Sequence, residues 1–110
     1  MVNYDGRKFR KQLDDPTEDA PIAQYHQKDN LVWAEFAGGD CLRGSLAGLC
    51  DESGQIEFAY SMVLVDGDVI SGRSVNTPEL LPDGRIRLHE QWERYGKHAD
   101  RGISYLEEVR

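Results

Sequence analysis

Apolar and polar residues alternate with a period of two along most of this chain, and acidic, glycine-containing turns interrupt the alternation at nearly even intervals. The clearest interruptions are Asp51-Glu52-Ser53-Gly54, Asp66-Gly67-Asp68 and Asp83-Gly84. Asp-Gly favours the positive φ angles of tight hairpin turns, so these sites predict antiparallel strands joined by short loops. The strands expected between them and upstream are Arg7–Leu13, Ile22–Gln27, Leu31–Ala37, Cys41–Cys50, Gln55–Leu64, Val69–Thr77, Arg85–Tyr95 and Gly102–Val109. Residues 14–21, acidic and carrying two prolines, read as a loop, and Gly96–Arg101 as the last connection. No segment shows a helical period, and Leu80-Leu81 after Pro78 has room for one helical turn at most. The predicted fold is therefore all-β: an eight-stranded antiparallel up-and-down meander closed into a barrel, with little or no helix. Closure removes exposed sheet edges, and eight strands leave an interior that side chains fill or that holds one small ligand.

Alternation also assigns an inner face. Ile56, Phe58, Tyr60 and Met62 form one stripe, and Ile86, Leu88, Glu90 and Trp92 another; both are expected to point inward. In the strand from Val69, the stripe Val69, Ser71, Arg73 and Val75 is taken as inward. For Leu31–Ala37 the pattern leaves open whether Leu31, Trp33 and Glu35 or Val32, Ala34 and Phe36 face the core. For Cys41–Cys50 it is equally neutral between Leu42, Gly44, Leu46 and Gly48 and the set Cys41, Arg43, Ser45, Ala47 and Leu49.

These stripes bring forward the candidate chemistry. Glu90 lies between Leu88 and Trp92, and a buried lone carboxylate either pairs or takes up a proton. Arg73, expected on the neighbouring strand, is the first partner and Arg43 the second. Such a pair fixes register, anchors a ligand, or poises Glu90 as a general acid/base. Trp33, Phe58, Tyr60 and Trp92 supply the aromatic surface that small-molecule sites use, although aromatic core filling has the same signature. The candidate ligand-binding residues are thus Arg73, Glu90, Trp92, Tyr60, Trp33 and Arg43.

Other chemistries find little support. His26, His89 and His98 lack metal-ligand spacing; His89-Glu90 begins like a zinc-protease motif, but Glu93 stands where the second histidine belongs. No metal or cofactor is expected. No serine sits in a nucleophile elbow, and the glycine pairs lack the helix a phosphate loop requires. Cys41 and Cys50, nine residues apart, should occupy opposite faces ~30 Å apart on one extended strand and remain unbridged. Gly44 and Gly48 suit strand curvature or close packing.

Composition narrows the picture further. The 110 residues suffice for a single domain, residues 1–110, and a hydrophobic content of 39% suits a thin sheet-based core. A net charge of −7, from 20 acidic against 13 basic residues, argues against nucleic acid and against anionic membrane surfaces as partners. With no membrane-length apolar run and no secretory signal at the start, a cytoplasmic location is expected.

Tyr4-Asp5-Gly6-Arg7, the stretch from Trp33 to Gly39, and above all the run from Thr77 through Pro82-Asp83-Gly84 to Trp92 resemble a family of small bacterial proteins labelled N-acetylglutamate synthase. The resemblance covers nearly the whole chain and implies an avidin- or lipocalin-like β barrel. The residues do not support an acetyltransferase: that chemistry holds the pyrophosphate of acetyl-CoA on a glycine-containing loop at a helix N-terminus, and this chain has neither. Three functions are left open: a small-molecule-binding barrel, a small-barrel enzyme using Glu90 as acid/base, and a filled barrel that self-associates as a homodimer through its outer face.

Overall fold

In a computed structural model, which describes residues 2–12 and 19–109, eight strands form one closed barrel. They are β1 (Lys8–Lys11), β2 (Ile22–Lys28), β3 (Leu31–Gly38), β4 (Cys41–Cys50), β5 (Ile56–Leu64), β6 (Val69–Leu80), β7 (Ile86–Arg94) and β8 (Asp100–Val109). Each pairs antiparallel with the next, and β1 closes on β8 through Phe9 opposite Glu108. The up-and-down barrel expected from the turn spacing is the observed architecture. Leu13 and residues 14–18 of the expected first loop lie outside the described residues. Gly96–His98 forms a single 3-10 turn, and no helix among the described residues is long and apolar enough to cross a membrane.

The acidic turns work differently from a paired positive-φ hairpin. Only the glycine of each turn adopts positive φ: Gly54 at 88°, Gly67 at 92° and Gly84 at 88°. The aspartates act through their side chains instead. Asp51 Oδ1 accepts from the amides of Ser53 and Gln55 at 2.9 and 3.0 Å, Asp66 from Asp68 at 2.9 Å, and Asp83 from Arg85 at 3.0 Å. Backbone bonds from Gly54 to Asp51, Gly67 to Leu64 and Gly84 to Leu81, each 3.0 Å, complete three turns of one design, with a glycine bulge on the outgoing strand. The Ser53 hydroxyl, which donates to Asp51 Oδ1 at 2.6 Å, and then the amide bonds to it hold the Asp51 carboxyl below the usual carboxylate range.

At one end of the barrel the lumen is packed solid. Tyr4, Phe9, Tyr25, Val32, Ile56 and Leu88 are each at most 1% exposed. Phe9 meets Tyr25 edge-on at 4.9 Å between ring centres, with Tyr4 at 6.2 Å from both. Tyr4 belongs to no strand; it closes this end by donating its hydroxyl to Gly54 O at 2.5 Å and its amide to Gln27 Oε1 at 2.8 Å. Burial of each of these side chains contributes roughly 1.5–3 kcal/mol. Beneath it the Glu108 carboxylate accepts from Arg7 Nη1 at 2.8 and 2.9 Å and from the Ile86 amide at 3.0 Å.

The inward stripes of β5 and β7 are observed as expected, whereas β6 is reversed. Ile70, Gly72, Ser74 and Asn76 are buried, and Val69, Ser71 and Arg73 are exposed. Directly paired residues share a face, and Met62 opposite Ile70 and Glu90 opposite Asn76 therefore commit the even-numbered residues of β6 inward. In β3 it is Val32, Ala34 and Phe36 that face the lumen, and Trp33 lies outside. Cys41 and Cys50 are both buried, contrary to the opposite faces expected, because a bulge between Cys41 and Arg43 shifts the alternation by one residue. Both thiols are free. β6 also runs straight through Pro78 to Leu80, where one helical turn was allowed; Pro78 lies beyond the last β5 partner, at a position with a strand on one side only.

Candidate functional site

The other end of the lumen, below the connections β3–β4, β5–β6 and β7–β8, is lined differently. Phe36, Tyr60, Met62, Trp92, Arg94 and Leu106 point inward and all retain accessible surface. Between this mouth and the apolar floor lies a polar layer that the register assembles from three adjacent strands, with Asn76 opposite Glu90 and Glu90 opposite Ser104. Asn76 Nδ2 donates to Ser74 Oγ at 3.1 Å, and the Ser74 hydroxyl lies near enough to the Glu90 carboxyl to favour its charged form. Trp92 Nε1 donates to Ser104 Oγ at 2.9 Å, which fixes the indole against the wall. A Cβ on Gly102 would stand 2.7 Å from Trp92 Cζ2, so only glycine at this position lets the indole lie flat on β8.

Two buried polar atoms here have no hydrogen-bond partner among the described residues. They are the Tyr25 hydroxyl, rising from the floor, and Asn76 Oδ1. Both residues are fully buried. Burial pushes the Tyr25 hydroxyl well above the usual phenol range, and nearby Glu90 pushes it further. Glu90 is itself held above the usual carboxylate range, first by burial, against the opposing effects of the Ser74 hydrogen bond and the Lys11 charge. Leaving a buried donor or acceptor unmade costs about 1–3 kcal/mol.

At the mouth, Tyr60 donates its hydroxyl to Glu93 O at 3.3 Å and lies beside Arg94. The Arg94 guanidinium sits 5.4 Å above the Trp92 ring, and its buried Nε has no hydrogen-bond partner among the described residues.

Of the six residues named from sequence, the structure gathers Glu90, Trp92 and Tyr60 in the lumen and places Arg73, Arg43 and Trp33 outside. Arg73 is paired with Glu57 at 3.1 Å and lines a shallow outer groove of about 430 Å³ with Val75, Gln91 and Ile103. It stands opposite Glu93, so the expected Arg73–Glu90 pair does not form. Arg43 is exposed beside the β4 bulge, and it too is remote from the lumen face. Trp33 stacks on His26 at 5.5 Å on the outer surface. His89 stacks on Tyr105 outside the lumen at 5.1 Å. Sequence reasoning missed Ser74, Asn76, Tyr25, Ser104 and Arg94. The signal for the first two was the length of the Asp66-Gly67 turn, which fixes which residue of β6 stands opposite Met62.

Comparison with curated proteins and with solved structures returned no match. A family model described as avidin-like protein matches residues 2–109, nearly the full length of the chain and all eight strands of its barrel. This chain therefore belongs to the avidin-like protein family.

Proposed function

We propose that this barrel is a small-molecule-binding module whose ligand enters through the mouth and is read by the polar layer. The observation that carries the proposal is the pair of unsatisfied buried atoms, Tyr25 Oη and Asn76 Oδ1, beside Glu90. A hydroxyl offers a donor, an amide oxygen an acceptor, and a protonated carboxyl offers both. That set fits a neutral polar head that donates and accepts at once, such as an amide, urea or lactam. Trp92, Phe36, Tyr60, Met62 and Leu106 would cover its apolar body. The perturbed Glu90 serves recognition in this account: burial favours its protonated form, the form that donates a hydrogen bond.

Trp33 and Trp92 are the only two tryptophans, one outside the barrel and one in the lumen. Trp33→Phe therefore leaves Trp92 as a single reporter. Protein purified from its own host is expected to carry a retained small molecule in native mass spectrometry. Readdition of that molecule to stripped Trp33→Phe protein should change Trp92 emission, and Asn76→Ala should weaken the response at least about tenfold. Absence of any retained mass, together with a Trp92 emission indifferent to a library of cyclic amides and ureas including biotin, would overturn the proposal.

A further inference from the structure

Two carboxyls lie on the inward faces of the barrel wall, and the fold treats them differently. Glu108, at the floor, is saturated: Arg7 Nη1 donates to both of its oxygens at 2.8 and 2.9 Å, and the Ile86 amide adds a third bond at 3.0 Å. Glu90 makes no ion pair with any described residue, and its nearest polar neighbour is the Ser74 hydroxyl. The other titratable and charged groups turned toward it are Lys11 from β1, Tyr25 from β2, Tyr60 from β5 and Arg94 farther along β7. Tyr25 and Glu90 stand three strands apart around the wall, so their side chains approach a lumen ligand from different sides. The Tyr25 ring is fixed by Phe9 at 4.9 Å and Tyr4 at 6.2 Å, while its buried hydroxyl has no partner among the described residues. That hydroxyl is a donor held in place before any ligand arrives, which spares reorganisation when charge develops on a bound oxygen.

Proton abstraction beside a carbonyl needs a carboxylate at the α-carbon and a fixed donor at the carbonyl oxygen, both above a dry, apolar wall. Burial penalises the ionised form of Glu90, which makes that form the stronger base. Saturation of Glu108 by Arg7 leaves it no such role.

We infer that the lumen also carries an activity, the isomerisation of an apolar enolisable ketone, with Glu90 as general base and acid and Tyr25 as the oxyanion donor. This inference rests on the lumen-binding function proposed above. The Glu90 carboxylate takes a proton from the α-carbon of a β,γ-unsaturated ketone. The C–H electron pair becomes the C=C bond of a dienolate, and the carbonyl π pair moves onto oxygen, which accepts from the Tyr25 hydroxyl. Glu90 then returns the proton to the γ-carbon, which leaves the conjugated ketone and restores the carboxylate. The step consumes no oxidant, reductant or water.

The probe is 3-cyclohexen-1-one, whose conversion to 2-cyclohexen-1-one is followed by the ultraviolet absorbance of the conjugated product. The protein should accelerate it at least about 10²-fold over acetate at the same carboxylate concentration. The rate should rise with pH as Glu90 ionises, since only the carboxylate takes the proton. Glu90→Gln should lose at least about 10²-fold, and Glu90→Asp, with its carboxyl set back by one methylene, should keep part of the rate. Tyr25→Phe should lower kcat about 10²-fold and leave the pH profile of the remaining rate unchanged. Far-UV circular dichroism confirms that each variant retains the barrel. Binding is read separately, as a change in Trp92 emission in Trp33→Phe protein. A probe that changes this emission without being isomerised, or that turns over equally in Glu90→Gln or Tyr25→Phe, overturns the inference and leaves the binding function standing. A probe that neither turns over nor changes the emission also overturns the inference, and the amide and urea library then decides the binding function by itself.

Discussion

The two ends of this barrel are made from the same eight strands and obey opposite rules. At the floor, Tyr4, Phe9, Tyr25, Val32, Ile56 and Leu88 leave almost no accessible surface, and the buried charge of Glu108 is met by Arg7 and the Ile86 amide. Toward the mouth, aromatic side chains stay partly exposed, burial holds Glu90 above the usual carboxylate range, and Asn76 and Arg94 keep polar atoms without partners among the described residues. The floor is locally consistent and the mouth is not. Departures of that kind gather at functional sites and are tolerated because the rest of the fold supplies the stability.

The contrast is broken most strongly from the floor. Phe9→Ala removes a ring held between Tyr4 and Tyr25 and should cost about 3–5 kcal/mol in urea unfolding. Glu108→Ala comes next. It strips Arg7 of its carboxylate and the Ile86 amide of its acceptor; because Arg7 is partly solvated, the expected cost is about 2 kcal/mol, recovered in part by Glu108→Gln. Neither change should alter which ligands bind.

Changes at the mouth should cost less and read out differently. Gly102→Ala drives a methyl against the Trp92 indole, whose bond to Ser104 must then yield. A loss of about 1–3 kcal/mol is expected, with a shift in Trp92 emission that no floor variant produces. Glu90→Gln sharpens the comparison because its sign is opposite. A carboxyl raised above its unfolded value favours the folded state at low pH, and that contribution is lost as pH rises through the folded value. Below about pH 4 the wild type and Glu90→Gln should melt together, since the carboxyl is protonated folded and unfolded alike. At pH 8 the glutamine variant should melt higher and bind ligand more weakly. A variant that melts lower at pH 8 would mean that the carboxylate is a structural partner.

How the chain displays these two ends explains what was legible in it. The strands, their number and their closure follow from period-two alternation and glycine turns, both of which are local. The stripes of β5 and β7 are legible because each carries large apolar residues on one side. β6 misled because valines stand at both ends of its outer stripe, Val69 and Val75, while its inner stripe is Ile70, Gly72, Ser74 and Asn76. Small polar residues such as Asn76, which bonds Ser74, are buried for reasons that hydropathy does not record. Their face could have been found by counting across the turn: Leu64 bonds Asp68, so Met62 meets Ile70, and an inward Met62 puts Ser74 and Asn76 inside. The pairing of Arg73 with Glu57 instead of Glu90 follows from the same count. Cys41 was beyond that reach, because its burial depends on a bulge that alternation alone does not announce. Arg94 continues the legible stripe of β7 by one more step of two, past Trp92.

The smallest expected effect on stability is the one that separates the two ends most cleanly. Tyr25 belongs to both: its ring packs against Phe9 at 4.9 Å in the floor, and its hydroxyl reaches the polar layer with no hydrogen bond. Tyr25→Phe keeps the ring and removes only the oxygen. Where a buried hydroxyl is bonded, this change costs about 0.5–1.5 kcal/mol; where it is unbonded, its removal spares the desolvation of a polar group and is neutral or stabilising. Urea unfolding of the ligand-free protein should therefore show a midpoint equal to or above the wild type, with an unchanged slope. The same variant should lose affinity for the ligand by about 0.5–1.5 kcal/mol, since only in the complex does the hydroxyl gain a partner. Stability and binding would then move in opposite directions on deletion of a single atom. A drop in stability of about 1 kcal/mol in the ligand-free protein would instead place a hydrogen bond on that hydroxyl within the fold and return Tyr25 wholly to the floor.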